Sequence, residues 1–210
     1  MKLYDITPKI HPGIAVFPGD VPFSRQIAMS WAQGHHLELS SVTTTLHVGA
    51  HADSPSHYHR DGCDIAERPL ERYLGACEVY AVSLPRGERI RPEHLPHPPR
   101  APRVLFYTGS MPDPDVFNLD FNSLSPELVE QLVGFGVQLV GIDTPSVDPP
   151  DSKLLESHQA IYRHDLAVLE GVVLEGVPPG LYTLIALPLP IVGGDASPVR
   201  AVLVDGPIGG

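Results

Sequence analysis

The sequence predicts one α/β domain over residues 1–210, a mixed β-sheet or flattened barrel flanked by helices, with an extended N-terminal arm. Three observations carry that expectation. A chain of 210 residues exceeds the usual domain of roughly 150 without reaching two, and it shows no internal repeat. Its composition, 42% hydrophobic and 19% charged, is that of a chain able to bury a core of its own. Its 24 prolines and 19 glycines fall between short apolar runs, so they act as punctuation between ordered elements.

From Met1 to Val21 a short strand, Leu3 to Ile6, gives way to turn chemistry at Pro8, Pro12-Gly13 and Pro18-Gly19-Asp20. This is the arm, and with little core of its own it is expected to pack against another subunit. Ser40 to Val48 bunches Val42, Thr43, Thr44 and Thr45, β-branched residues that suit a pleated strand. Pro69 to Leu74 fits a short helix. Glu78 to Leu84 and Arg103 to Tyr107 are compact apolar runs that read as buried strands. The segment between them, Pro85 to Pro102, holds six prolines and reads as a surface connection.

Ser125-Pro126-Glu127 starts a helix: a hydroxyl cap, a proline where the amide would be unpaired, and a carboxylate facing the positive end of the dipole. Gly134 ends it. Val137 to Ile142 is an apolar strand broken by Asp143-Thr144-Pro145, at the carboxyl end where α/β sheets place ligands. Lys153 to Asp165 has helical spacing through Leu154, Leu155, His158, Ile161 and Tyr162, which sets His158 on a half-buried face. Ala167 to Leu174, Leu181 to Leu187 and Ala201 to Val204 complete the strands.

Charge excludes several functions. Fourteen Lys and Arg against 25 Asp and Glu give −11, a field that repels phosphate backbones and anionic membranes, so neither nucleic acid nor membrane is an expected partner. No apolar run approaches the roughly 18 residues of a membrane span. Cys63 and Cys77 form neither a CxxC pair nor a disulfide framework, and the N-terminal residues, with an acid already at Asp5, lack a signal core; a cytoplasmic protein is expected. GxSxG and GxGxxG motifs are missing, which argues against serine-hydrolase and dinucleotide chemistry.

Of 11 histidines, six fall between His35 and His59. From His47 to His57 every potential ligand sits at an odd position, so an extended chain turns His47, His51, Asp53 and His57 to one side. At about 3.3 Å per residue a straight strand would hold His47 and His51 roughly 13 Å apart, and Gly49 between them permits the bend that one ion requires. Gly49 and Pro55 argue against a helical zinc motif. Three imidazoles and a carboxylate on one face would suffer desolvation and repulsion unless a cation lay among them. Nitrogen and oxygen donors without thiolate suit Zn2+ or Mn2+.

The run His47-x-Gly49-Ala50-His51-x-Asp53-x-Pro55-x-His57 resembles the signature of the cyclase-like metal-dependent hydrolases, and specifically the bacterial kynurenine formamidases, or arylformamidases. The likeness continues through Phe17-Pro18-Gly19-Asp20, through Asp143-Thr144-Pro145-Ser146-Val147-Asp148, and through the pair His158 and Glu170. The resemblance implies two Zn2+ ions per subunit, with Mn2+ the other ion such donors suit. One would be held by His47, His51 and Asp53 and the second by Asp53, His158 and Glu170, each keeping an open position as catalytic sites do. It further implies His57 as proton donor and acceptor, Phe17 against an aryl formamide substrate, and a homodimer. The reaction implied is hydrolysis of N-formyl-L-kynurenine to L-kynurenine and formate, a step of tryptophan degradation. The alternatives are opening of an isatin-type cyclic amide and metal binding without turnover. Phe17 departs from the family's usual Trp, keeping a stacking face but losing the indole donor.

Weaker expectations attach to the neighbours. His59, His35 and His36 are expected to face solvent, and Cys63 to be a bystander. Asp143 and Asp148 are read either as partners of ligand imidazoles or as turn stabilisers.

Overall fold

Short apolar runs bounded by proline and glycine become short strands in the computed structural model, which describes residues 1–206. The chain forms β1 (Leu3–Asp5), β2 (Ser24–Met29), β3 (Leu39–Thr43) and β4 (His51–Asp53), then one helical turn, α1 (Pro55–Tyr58). Next come β5 (Leu74–Ala81), β6 (Arg89–Ile90), β7 (Arg103–Tyr107), β8 (Ser123–Leu124) and helix α2 (Pro126–Gly134). The remainder is β9 (Leu139–Ile142), helix α3 (Glu156–Arg163), β10 (Ala167–Glu170), β11 (Gly180–Ile185), β12 (Ala196–Pro198) and β13 (Val202–Asp205).

Nine strands make one sheet in the order β1-β13-β11-β5-β7-β9-β10-β4-β12. Its centre, from β5 through β7 and β9 to β10, is parallel, and both wings are antiparallel. The sheet curls into a half-barrel with β1 and β12 as free edges, a single α/β domain of the expected mixed kind.

Central strands are buried on both faces, which is why they read as unbroken apolar runs. Val104, Phe106, Val140, Ile142 and Val168 pack against Leu128, Leu132 and Ile161 of the helices. Leu105, Leu139, Leu169, Leu184 and Leu203 fill the other side. The start of α2 is capped as its sequence dictates, the Ser125 hydroxyl accepting from the Leu128 amide at 3.2 Å.

Several boundaries differ from expectation for local reasons. The strand expected over Ser40 to Val48 stops at Thr43. Beyond it the Thr45 hydroxyl donates to Asp20 at 2.9 Å and accepts from the His47 amide, so side-chain bonds replace the ladder. The helix expected from Lys153 begins at Glu156, because Leu155 adopts a left-handed conformation, φ +49°. The strand expected to Leu174 ends at Glu170, where Gly171 turns the chain at φ +64°. β2 escapes sequence reading because Ser24–Met29 has no buried face; among the described residues it pairs only with β3, as a separate exposed ribbon.

The N-terminal arm has more core of its own than its sequence suggests. It rests on its own chain: β1 pairs with β13, Ile6 and Ile14 are buried, and the Ala15 amide donates to the Pro114 carbonyl at 3.0 Å.

Gly49 and Gly171 meet backbone to backbone, since a Cβ on Gly171 would lie 2.3 Å from the Gly49 oxygen. Gly176 is also left-handed, φ +74°, but a Cβ there meets nothing within 4 Å. In thermal and chemical denaturation, Gly176→Ala should therefore cost only the left-handed backbone penalty, about 1–2 kcal/mol. Gly171→Ala should cost that plus overpacking of about 1–3 kcal/mol, with a visibly larger fall in Tm.

Candidate metal centre

β4 lies between β10 and β12, opposing His51 to Glu170 and Asp53 to Val168 and Ala196. His51 and Asp53 are two apart on this strand, so they share a face. His47 joins them from the turn in which Gly49 takes φ +62°, the bend expected there. His57 does not come from an extended chain. Pro55 opens the helical turn α1, which carries the His57 ring to 4.2 Å from that of His47. The odd-position alternation thus holds for His51 and Asp53 and fails for the residues on either side.

His158 on α3 and Glu170 at the end of β10 reach the same point. The Asp53 oxygens lie 3.0 Å from His47 Nδ1, 3.5 Å from His51 Nε2 and 3.5 Å from His158 Nε2. Glu170 oxygens stand 3.4 Å from both His51 Nε2 and His158 Nε2. Ligand atoms of His47, His51 and Asp53 fall within 4.8 Å of one another, and so do those of Asp53, His158 and Glu170. Sequence reasoning named all five, and Asp53 belongs to both sets.

The decisive feature is what these atoms lack. Among the described residues, His51 Nε2, His158 Nε2 and both Asp53 oxygens are buried without any hydrogen-bond partner. Buried polar atoms are otherwise almost always satisfied, so four orphans converging on one point form a donor set that fits a cation. The opposite ring nitrogens are held. His51 Nδ1–H donates to the Gly49 carbonyl at 2.9 Å and His158 Nδ1–H to Asp148 Oδ2 at 2.9 Å, which aims both Nε2 lone pairs inward.

Electrostatics agree with that demand for positive charge. Burial would push the Asp53 carboxyl up, yet His158, His47 and His51 hold it well below the usual carboxylate range. Burial depresses His47, but Asp53 first and then Asp195 and Glu170 outweigh it and raise the imidazole to about 9. Burial likewise raises Asp148, while His158 and the Ser157 and His158 amides hold it at about 2. Asp148 is thus a partner of an imidazole. Asp143 instead secures a loop, accepting from the Thr108 hydroxyl at 2.8 Å and from the Thr108 and Gly109 amides.

Above the cluster opens a cavity of about 320 Å³, at the carboxyl ends of the parallel strands as expected, with Tyr107, Asp143 and Glu170 in its wall. Phe17 also lines it, edge-to-face with Phe117 at 5.1 Å between ring centres. Among the described residues no lysine or arginine lines this cavity, whereas Asp20, Asp143 and Glu175 do.

Two expectations for neighbours fail. His59 stacks on Tyr162 at 3.7 Å and is only half-exposed, and His35 accepts from the Ser30 amide at 3.2 Å. His36 is exposed as expected, and Cys63 is a half-buried free thiol. Sequence reasoning also missed Asp195, 3.1 Å from His47 Nε2, whose one local signal is the preceding Gly193-Gly194.

Residues 4–149 match the model of the cyclase family, described as "Putative cyclase". The chain belongs to the cyclase family. Within it, the "Kynurenine formamidase" of Bordetella pertussis is 45% identical over 205 residues, covering 96% of this chain and 97% of that protein. A solved structure described as "Potential Metal-Dependent Hydrolase With Cyclase Activity" superposes with TM-score 0.81 at 26% identity, over 96% of each chain. Isatin hydrolase A from Labrenzia aggregata shares the fold, with TM-score 0.80 at 21% identity over 96% of this chain and 93% of that one.

The Asp148 carboxyl gives this cyclase-family centre an acid limit. Its pKa is about 2 against an unfolded value of 3.8, so its stabilisation is present above pH 3.8 and lost as pH falls toward 2. The gap corresponds to about 2 kcal/mol. Acid denaturation followed between pH 5 and 2 should show a shallower loss of stability in Asp148→Asn than in the unaltered protein.

Proposed function

We propose that this chain hydrolyses N-formyl-L-kynurenine to L-kynurenine and formate, as an arylformamidase using two divalent ions. The observation that carries this reading is Asp53, a buried carboxylate with both oxygens unpartnered between two sets of three donors. Supporting it are the 45% identity to the Bordetella pertussis kynurenine formamidase and an aromatic-walled cavity directly above. His47, His51 and Asp53 would hold one ion and Asp53, His158 and Glu170 the second. Imidazole and carboxylate donors suit Zn2+, with Mn2+ the other candidate. When bound, such an ion supplies Lewis acidity and lowers the pKa of water from 15.7 to about 7.

The chain's own residues supply orientation and proton transfer. Phe17 and Phe117 offer stacking faces for the aryl ring. His57, with its side chain 36% exposed at the cavity, takes the proton released as water adds to the formyl carbon. It returns that proton to the aryl nitrogen as the carbon–nitrogen bond breaks, so formate leaves with the oxygen and kynurenine with the hydrogen.

We place the reaction in the cytoplasm, in keeping with two free thiols, Cys63 and Cys77. Among the described residues no helix is long and apolar enough to cross a membrane. A homodimer is part of the same reading. The β2–β3 ribbon exposes Ile27, Trp31, Leu39 and Val42, and a two-stranded ribbon alone is marginally stable in water. A second copy covering it accounts for both facts.

Three measurements test these proposals. Purified protein loaded with zinc should release formate from N-formylkynurenine, and hydrolysis of isatin without formate release would replace the proposed substrate with the cyclic one. His57→Ala should keep its metal content by elemental analysis and lose about 10²–10⁴-fold in kcat. Light scattering should return twice the 22.7 kDa of one chain, and Trp31→Glu should shift the particle to a monomer.

A further inference from the structure

Asp195 stands just before β12, and its backbone is fixed. The Ser54 amide donates to the Asp195 carbonyl at 2.9 Å, the Ile65 amide to the Gly194 carbonyl at 3.0 Å, and Ala196 pairs with Asp53. Its side chain, 50% exposed, is not in the cavity wall. One oxygen, Oδ2, lies 3.1 Å from His47 Nε2 and 3.6 Å from His57 Nδ1.

That position completes a pattern. Three imidazoles face the centre, and two have the far nitrogen held, His51 by the Gly49 carbonyl and His158 by Asp148. His47 is the third, and Asp195 stands at its far nitrogen. The same three side chains, His47, His57 and Asp195, also cluster closely enough to suggest a metal triad of their own. A cation there would need the Nε2 lone pair of His47 while Nδ1 serves the inner set, which requires an imidazolate. A proton on Nε2 shared with a carboxylate meets no such obstacle.

We propose that Asp195 is a positioning residue that sets the tautomers of two histidines at once. It accepts from His47 Nε2–H, which leaves the Nδ1 lone pair aimed at the Asp53 set. Its charge also holds His57 with Nδ1 protonated, and the His57 Nε2 atom is then the one free for proton transfer in the cavity. This rests on the proposed formamidase reading for its catalytic consequence, but the tautomers and the metal affinity do not depend on any substrate.

The test uses zinc-loaded protein with Asp195→Ala and Asp195→Asn. Ring nitrogen NMR should show Nε2-protonated His47 and Nδ1-protonated His57 in the unaltered protein, and in Asp195→Ala loss of the His57 assignment, since zinc on Nδ1 keeps the His47 proton on Nε2 in either protein. Zinc affinity, read by competition with a chelator, should fall about 10-fold or more in Asp195→Ala, and kcat should fall about 10–100-fold with KM within about twofold. Asp195→Asn keeps an acceptor and should recover part of each loss. Unchanged tautomers and zinc affinity in Asp195→Ala would overturn the proposal, even if kcat fell. Absence of formamidase activity in the unaltered protein would remove the proposed reaction while leaving the tautomer and affinity readouts to decide the role of Asp195.

Discussion

A carboxylate with no exposed surface and no hydrogen bond is an expensive object, since stripping water from such an ion costs several kcal/mol even after relaxation. Asp53 is that object, and the fold around it makes sense as the means of answering its charge. β4 is held from both sides, by β10 and β12, so the carboxylate cannot swing out to solvent. Glu170 brings a second negative charge from β10, and His47, His51 and His158 converge from a turn, a strand and a helix. Five side chains spread over more than 120 positions in sequence thus meet around one point whose charge and lone pairs suit a cation.

The imidazoles are braced by acceptors of different character. Behind His51 is a neutral backbone carbonyl, behind His158 a fully buried carboxylate that also takes two amides and Arg89, and behind His47 a carboxylate half open to water. A charged acceptor makes the inward nitrogen a stronger donor than a neutral one does. The centre is accordingly dry on the His158 side and open to water on the side where His57 and Asp195 stand.

How much of this the sequence disclosed depends on how local each signal was. The Ser125 cap, the strand Arg103–Tyr107 and the bend at Gly49 depend on neighbouring residues and were legible. His51 and Asp53 were legible because the two-residue period of a strand is a property of the backbone itself. His57 was identified as a candidate for the wrong geometric reason: α1, and no extended face, delivers it. His158 and Glu170 carry no local mark of their role, and only likeness to a family singled them out. Asp195 lay out of reach, being 148 positions from the ring it touches. The ribbon of β2 and β3 shows no alternation because neither of its faces is covered by the chain that forms it.

The cavity wall has a further bearing on turnover. Amide hydrolysis converts an uncharged acyl group into an anion, and outside the ion centre this wall offers that anion no guanidinium or ammonium to linger beside. With Asp20, Asp143 and Glu175 in the same wall and a chain carrying −11 overall, a small carboxylate meets like charge there and no counter-charge. For the proposed reaction, how long the acid product stays is left to the ion centre alone, because no cationic side chain in the wall would retain it.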